Sequence, residues 1–223
     1  MCRKLSVMCL ILALGIVSTG YAAEVDVIGS WEYQNDGWIH WGNGLPIDDP
    51  VNMPSQYEYS DVWSTDGDFC LKLTKTGWQQ NLSIKLQDHG LVDEFMNHSV
   101  FSFDLMAPAD TQGVGGWEEV YTMSLNAEGF GWNDLGDKPK IHIDFWEGSP
   151  QRVFTVSFDY SVAASTIAVP PNWVELIIAT NGGDDVRNVF YVDNARLSGP
   201  GIPEPATLSL LGLGALALLR RKR

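Results

Sequence analysis

The sequence predicts an all-β fold in which two antiparallel sheets pack face to face, flanked by an N-terminal signal peptide and a short C-terminal transmembrane helix. Three observations lead to this prediction. Apolar and polar residues alternate along most of the chain between its termini, Gly, Asp, Asn and Pro cluster between the alternating segments, and each terminus carries an apolar run beside basic residues. Alternation with a period of two is typical of strands that bury one face and expose the other.

The alternation is clearest in six segments, each of which predicts a strand: residues 82–86, 100–105, 121–125, 141–145, 154–158 and 173–178. Turn-forming clusters lie between such segments at residues 66–67, 113–116, 136–137, 170–172 and 181–185. A single turn of helix is expected around residues 91–96. About ten short strands joined by such turns indicate a two-sheet antiparallel sandwich.

The N-terminus has the pattern of an export signal peptide over residues 1–22. Two basic residues precede an apolar run at residues 5–17, and the small residues Gly20 and Ala22 follow it, which predicts a cut after Ala22. The cut would leave Cys70 as the one cysteine of the exported chain, so an internal disulfide is excluded. We expect Cys70 to be an inert strand residue, because the sequence offers no partner that would activate a nucleophile.

Between the two terminal signals, the sequence predicts a β-sandwich domain over residues 23–198, followed by a Pro/Gly linker at residues 199–205. The stretch 23–202 is strongly acidic. Of the 14 Lys and Arg and 28 Asp and Glu in the chain, six basic residues and Glu204 belong to the terminal signals, which leaves residues 23–202 with a net charge of −19. Such a charge repels nucleic acid and anionic lipid and favours cations or neutral polymers, so nucleic acid is excluded as a partner.

The C-terminal segment combines three features in order. Pro203, Glu204 and Pro205 precede the small and apolar run 206–219, and the chain ends in a basic cluster: Arg220, Arg221, Lys222 and Arg223. A helix over this run spans about 21 Å, less than the ~30 Å hydrocarbon core, so the basic side chains would have to extend it to the cytoplasmic surface. The run predicts a short transmembrane helix that keeps the preceding chain outside the membrane.

These residues resemble the PEP-CTERM sorting signal of Gram-negative-type bacteria. The resemblance implies that an exosortase, a membrane transpeptidase-like enzyme, recognises the chain and cleaves it near Pro203-Glu204-Pro205. The protein would then reach the cell surface or the extracellular matrix, with the helix either removed or retained as a membrane anchor.

Three pieces of the central unit resemble the jelly-roll carbohydrate-binding modules. They are an opening Trp31-Glu32 with Asp36-Gly37-Trp38, a strand with an Asp-Gly turn over residues 64–73, and a closing strand with Asp-Asn over residues 190–197. The resemblance implies a jelly-roll topology, a polysaccharide ligand and a structural calcium ion.

The calcium ion implied by this resemblance would draw on Glu32, on the stretch from Asp66 to Asp68, and on Asp193. Calcium is a hard cation that takes about six to eight oxygens from carboxylates and carbonyls, which these positions supply. Without an ion, Glu32 and Asp193 would be solvated carboxylates at strand ends.

The segment at residues 141–145 supplies the candidate ligand-binding residues. Its apolar residues share one face, so His142 and Asp144 lie on the other, and Trp146 follows in the same register. An exposed ring beside a carboxylate and an imidazole is suited to stacking on a sugar and hydrogen-bonding its hydroxyls. Trp117 and Trp132, beside Gly-rich loops, are expected to extend this surface.

Other aromatic and imidazole side chains are expected to be structural. Three tryptophans in apolar surroundings are expected in the core: Trp31, Trp38 and Trp63. Three histidines show no ligand spacing and are expected in loops or on the surface: His40, His89 and His98.

The segment from His142 to Glu147 also resembles the Glu-x-Asp-x-x-Glu strand of the jelly-roll endoglucanases. His142 occupies the nucleophile's position, and a neutral imidazole cannot replace the carboxylate that forms the glycosyl-enzyme bond. Regular alternation also turns Glu147 away from Asp144. We therefore expect no catalytic residues.

The sequence thus predicts an exported, non-enzymatic protein that binds glycan through its sandwich domain. Two alternatives stay open. A structural, self-associating matrix protein would lack an exposed aromatic surface, and a glycoside hydrolase would need two carboxylates about 5 to 9 Å apart in a cleft.

Overall fold

A computed structural model of the protein describes residues 25–32, 34, 36–41, 44–47, 56–75, 79–109, 116–128, 131–132, 140–165, 171–182 and 189–201. It describes the backbone alone at residues 79–80, 118, 121–126, 131–132, 140, 145, 163 and 181–182. The predicted signal peptide, the 206–219 helix and the residues from Pro203 to Arg223 lie outside the described part. Among the described residues, no helix has both the length and the apolar character needed to span a bilayer.

Two six-stranded antiparallel sheets form the fold, as the alternation predicts. Sheet I contains six strands: β1 (Asp26–Gly29), β3 (Tyr57–Ser60), β4 (Cys70–Thr74), β6 (Val100–Ala107), β10 (Arg152–Asp159) and β12 (Val189–Ser198). Their order is β10-β6-β12-β4-β3, and β1 also pairs with β12. The last strand is therefore central, and the first strand lies beside its final residues.

Sheet II contains the other six strands: β2 (Trp38–His40), β5 (Gln79–Lys85), β7 (Gly116–Ala127), β8 (Gly131–Trp132), β9 (Lys140–Phe145) and β11 (Val174–Gly182). Their order is β2-β5-β11-β7-β8, with β9 also paired to β7. Most neighbours in both sheets are distant in sequence, which is the arrangement of a sandwich rather than of successive hairpins.

Three short helices complete the described structure. A 3₁₀ helix (Leu86–His89) and α1 (Val92–Asn97) follow β5, and α2 (Ser161–Ala164) follows β10. The predicted turn of helix at residues 91–96 is confirmed. The other two were not predicted, because a single turn is too short to show helical periodicity.

The core lies between the inner faces of the two sheets. Phe101, Phe103 and Leu105 from β6 belong to one buried cluster with Leu82 and Ile84 from β5. Each such side chain contributes about 1.5–3 kcal/mol when it leaves water. This burial accounts for a stable domain without an internal disulfide.

The three tryptophans expected in the core divide between two places. Trp31 and Trp38 are fully buried between the sheets, and the indole nitrogen of Trp38 donates to the carbonyl of Ile28 at 2.8 Å. Trp63 instead packs, partly buried, on the outer face of sheet I against Cys70 and its neighbours. The expectation for Trp63 was wrong, because a loop carries this residue over the outside of the sheet.

Cys70 is a buried strand residue, as predicted. Burial raises the pKa of its thiol to about 12, and the nearby Asp193 carboxylate adds to the effect. The thiolate needed for nucleophilic or redox chemistry is therefore suppressed at neutral pH.

Candidate functional site

Three of the predicted ligand-binding residues, Trp117, His142 and Asp144, lie on the outer face of sheet II, at its β7–β9 edge. In the antiparallel register Trp117 is opposite Asp144, and Glu119 is opposite His142, so these four residues share one face. Ile143 between them is fully buried on the inner face, whereas His142 and Asp144 are exposed. The face assigned to His142 and Asp144 from alternation is confirmed.

Trp117 and His142 form a stacked pair across the two strands. Their ring centroids are 5.8 Å apart and their planes differ by 21°. His142 Nε2 lies 3.1 Å from Asp144 Oδ1, and His142 Nδ1 lies 3.9 Å from Glu119 Oε1. The imidazole therefore supports one face of an indole that is still 41% exposed.

Trp146 follows β9 directly and is 50% exposed. The Arg152 guanidinium of sheet I lies over its ring at 5.3 Å from the centroid, and Arg152 Nη2 donates to the Asp144 carbonyl at 2.8 Å. Arg152 thus bridges the edges of the two sheets and restricts the orientation of the ring. We call Trp117, His142, Asp144 and Trp146 the aromatic platform.

Trp132 lies on β8, where its backbone pairs with Asn126 of β7. Asn126 and Trp117 are nine residues apart on this strand, a rise of about 30 Å. One sugar ring cannot contact both tryptophans across that distance. The Trp132 side chain lies outside the described structure.

A second polar cluster holds the loop at residues 61–69 against the outer face of sheet I. Asp193 Oδ2 accepts hydrogen bonds from the backbone amides of Thr65 at 2.5 Å and Asp66 at 2.9 Å. Its other oxygen, Oδ1, is buried and has no hydrogen-bond partner in the described structure. Burial raises the pKa of Asp193, and the amide hydrogen bonds oppose this only in part.

Glu32 holds the far end of the same loop. Its Oε1 accepts hydrogen bonds from the backbone amides of Asp68 at 2.9 Å and Phe69 at 2.8 Å. Gly67 approaches so closely that a Cβ there would lie 2.3 Å from Glu32 Oε1, and its φ of +75° is in the left-handed region. Asp66 and Asp68 therefore meet the two carboxylates through their backbone amides.

Asp104 completes this cluster, which we call the loop anchor: Glu32, Asp104, Asp193 and the loop at residues 61–69. Asp104 accepts hydrogen bonds from the Thr65, Thr155 and Arg196 side chains at 2.9, 2.7 and 3.0 Å. Burial acts to raise the pKa of Asp104, but these hydrogen bonds and the Arg196 charge outweigh it and hold the pKa below its usual range.

Two backbone irregularities lie beside the predicted calcium ligands Asp193 and Glu32, which contact the loop at residues 61–69. A bulge in β12 between Asp193 and Arg196 coincides with Asn194 at φ 51°, and it changes the register of Asp193 relative to β6. At the opening turn, Trp31 has φ 49°, and Asp36 Oδ2 accepts hydrogen bonds from the amides of Ser30 and Trp31, both at 2.8 Å. Asp36 therefore stabilises the unusual backbone that precedes Glu32.

His98 corrects the expectation that the remaining histidines lie in loops or on the surface. It follows α1 directly, is 3% exposed, and has ligand atoms of Asp26 and Glu94 close to its ring. The contact is tertiary, because β1 and α1 are far apart in sequence. Glu94 lies four residues before His98, a spacing that places both on one helix face, whereas Asp26 has no such relation in sequence.

Comparisons with known proteins support both the predicted sorting signal and the predicted sandwich domain. A family model described as the PEP-CTERM protein-sorting motif matches residues 201–223. The chain therefore carries this motif, which implies exosortase processing, export and sorting to the cell surface. No curated protein matches the chain.

Solved structures resemble the whole sandwich. CBM27-1 of Caldicellulosiruptor saccharolyticus, in complex with mannohexaose, is 16% identical with a TM-score of 0.51, and the match covers 78% of this chain and 96% of that one. CBM28, a carbohydrate-binding module specific for non-crystalline cellulose, is 12% identical with a TM-score of 0.50 and covers 79% and 96%. The jelly-roll fold is confirmed, and at these identities the likeness shows the fold alone.

Proposed function

We propose that the protein is an exported, non-enzymatic glycan-binding protein that binds polysaccharide through the aromatic platform. One observation carries the proposal: the half-exposed indole of Trp117 shares an outer face with His142 and Asp144, and the half-exposed Trp146 follows two residues after Asp144. Exposed indoles cost free energy in water unless a partner covers them. A sugar ring presents an apolar face to an indole and hydroxyls to a carboxylate or imidazole.

The ligand class that fits this platform is a neutral polysaccharide. Glu119 and Asp144 give the surface a negative potential, and the net charge of the domain has the same sign, so acidic polymers would be repelled. The two structural relatives are named for mannohexaose and for non-crystalline cellulose, which makes such polymers the first probes to use.

The same geometry argues against a glycoside hydrolase. His142 replaces the nucleophile and is paired with Asp144 at 3.1 Å, while Glu147 lies in the turn after β9, beyond the end of the strand. The segment from His142 to Glu147 therefore lacks the pair of facing carboxylates that a glycoside hydrolase needs.

A structural calcium ion in the loop anchor is part of the proposal. The observation in its favour is the buried Asp193 Oδ1, a carboxylate oxygen without a hydrogen-bond partner in the described structure. Glu32, Asp193 and backbone oxygens near Asp66 and Asp68 would hold the ion. It would neutralise buried charge and fasten the loop, without a part in ligand chemistry.

The test is binding of the full-length chain, in mild detergent, to soluble mannan and cellulose derivatives by affinity electrophoresis. Trp117→Ala and Trp146→Ala should each weaken binding about ten- to a hundredfold, which corresponds to about 1.4–2.7 kcal/mol. Val162→Ala, at an exposed position away from the platform, is the matched control and should bind as the wild type does.

Two outcomes would overturn the glycan proposal. If both tryptophan variants bound neutral polysaccharide as strongly as the wild type, the binding site would not be the aromatic platform. Binding of no polysaccharide, together with concentration-dependent self-association, would favour the structural matrix protein instead.

A further inference from the structure

A second group of potential ligands lies at the opposite end of the sandwich from Trp146. Asp26 of β1, Glu94 of α1 and His98 have ligand atoms that all lie within 4.8 Å of one another. Within the described ranges this is the one group of three or more His, Cys, Asp or Glu side chains that meets this distance. None of its members belongs to the loop anchor or to the platform.

The orientation of the imidazole decides which nitrogen faces the carboxylates. His98 Nδ1 lies 2.8 Å from the backbone carbonyl oxygen of Glu94. A carbonyl can only accept, so Nδ1 carries a proton, and in the neutral ring Nε2 then presents its lone pair. Histidines that bind metals commonly have this arrangement, with the other ring N–H donated to a carbonyl.

Nε2 of His98 faces Asp26 Oδ2 at 3.6 Å, longer than a hydrogen bond. A nitrogen lone pair and two carboxylates that converge around a ring only 3% exposed attract a positive charge, which a metal ion would supply. Ligands about 2.1 Å from a tetrahedral ion are about 3.4 Å apart, close to the 3.6 Å between His98 Nε2 and Asp26 Oδ2.

We propose that Asp26, Glu94 and His98 bind a divalent transition metal ion of the zinc class. One imidazole and two carboxylates form a mixed nitrogen and oxygen set that suits zinc, whereas calcium prefers oxygen ligands throughout. Three protein ligands leave a fourth position for water. The site is separate from the calcium site proposed for Glu32 and Asp193, and it does not depend on glycan binding.

The ion would connect β1, the first described strand, to the region beside the end of β12, the last described strand. Asp26 pairs with Leu197 near the end of β12, and the amide of Ser99 donates to the carbonyl of Ser198 at 3.0 Å. The metal would therefore fix β1 and α1 beside the exit to the sorting motif. Without it, β1, a strand of four residues, depends on its pairing with β12.

The test is the unfolding midpoint of the full-length chain, in mild detergent, after chelation and after addition of Zn²⁺. We expect a hundredfold excess of Zn²⁺ over its dissociation constant to raise the midpoint on the order of 5–10 °C. Co²⁺ bound in place of Zn²⁺ should give the visible absorption of a tetrahedral ion. His98→Asn, which keeps a donor near the Nδ1 position and removes Nε2, should abolish both responses.

Glu94→Gln provides a second variant should His98→Asn fail to fold, because Glu94 is only partly buried. Glu94→Gln should raise the Zn²⁺ concentration needed to shift the midpoint at least tenfold. The control is His89→Asn, at an exposed histidine, which should leave the Zn²⁺ response unchanged. An unchanged midpoint of the wild type with Zn²⁺ would overturn the proposal. A Zn²⁺ response in His98→Asn and Glu94→Gln as large as that of the wild type would overturn it as well.

Discussion

The loop anchor lies on the outer face of sheet I and the aromatic platform lies at the β7–β9 edge of sheet II, and the two differ in what their side chains contact. In the anchor, Asp104 and Asp193 are buried and bind the protein's own amides, hydroxyls and guanidinium. In the platform, Trp117 and Trp146 are half exposed and rest on His142 and Arg152. The difference teaches that stability and binding depend on separate residues, so variants should affect one without the other.

The largest expected effect is on the proposed calcium ion in the anchor. Chelation should lower the unfolding midpoint of the full-length chain, and Ca²⁺ should restore it by about 5–10 °C at a hundredfold excess, which corresponds to roughly 2.7 kcal/mol. Asp193→Ala should abolish this response, because it removes the buried oxygen that has no other partner in the described structure. An equal response in the wild type and in Asp193→Ala would show that Ca²⁺ binds elsewhere.

The next effect tests the close approach of the loop to Glu32. Gly67→Ala should destabilise the domain by about 2 kcal/mol, because the φ is unfavourable and the new Cβ would displace the Glu32 carboxylate. Gly90→Ala is the matched control, since Gly90 has a similar φ of +69° with open space around its Cβ. Its cost in chemical denaturation should be about 1 kcal/mol, and equal costs would contradict the role of Glu32.

A smaller effect concerns pH and Asp104. Because the folded-state pKa of Asp104 lies below its unfolded value, its charge stabilises the fold above about pH 4 and loses that contribution as the pH falls further. Asp104→Asn should therefore cost about 1–2 kcal/mol at neutral pH and less in acid. Denaturant titrations of both proteins at pH 7 and pH 3 measure this, and parallel pH dependences would refute the assignment.

The smallest effect on stability is expected at the platform. Trp117→Ala and Trp146→Ala should change the free energy of unfolding by less than about 0.5 kcal/mol, because exposed side chains gain little from folding. The same variants should lose polysaccharide binding. If they instead unfold the domain, the separation between platform and anchor does not hold.

Much of the fold could be predicted from the sequence, because six of the twelve described strands carry a clear alternation of their own. His142 and Asp144 were assigned to the outer face by alternation within a single strand. Their contact with Trp117 could not be derived in this way, since it depends on the register between β7 and β9. No spacing rule links residues on two strands whose pairing is unknown.

The buried polar residues show where sequence reasoning ends. Alternation places Asp104 on the outer face of β6, which meets solvent unless another element covers it. The residue is only 7% exposed, because the loop at residues 61–69 covers this part of the sheet and brings Thr65 to it. His98 was misassigned for a similar reason, since Asp26 reaches it through the pairing of β1 with β12.

The register of sheet I places the exit to the sorting motif and the Trp146 ring at opposite ends of the domain. Ser198, near the exit to the sorting motif, pairs with Val100, and Val100 pairs with Asp159 at one end of β10. Arg152, which contacts Trp146, begins the same strand seven residues away, a rise of about 23 Å. A domain attached to a surface through its C-terminal segment would hold these rings at its distal end, where a polymer arriving from the surrounding medium meets them first.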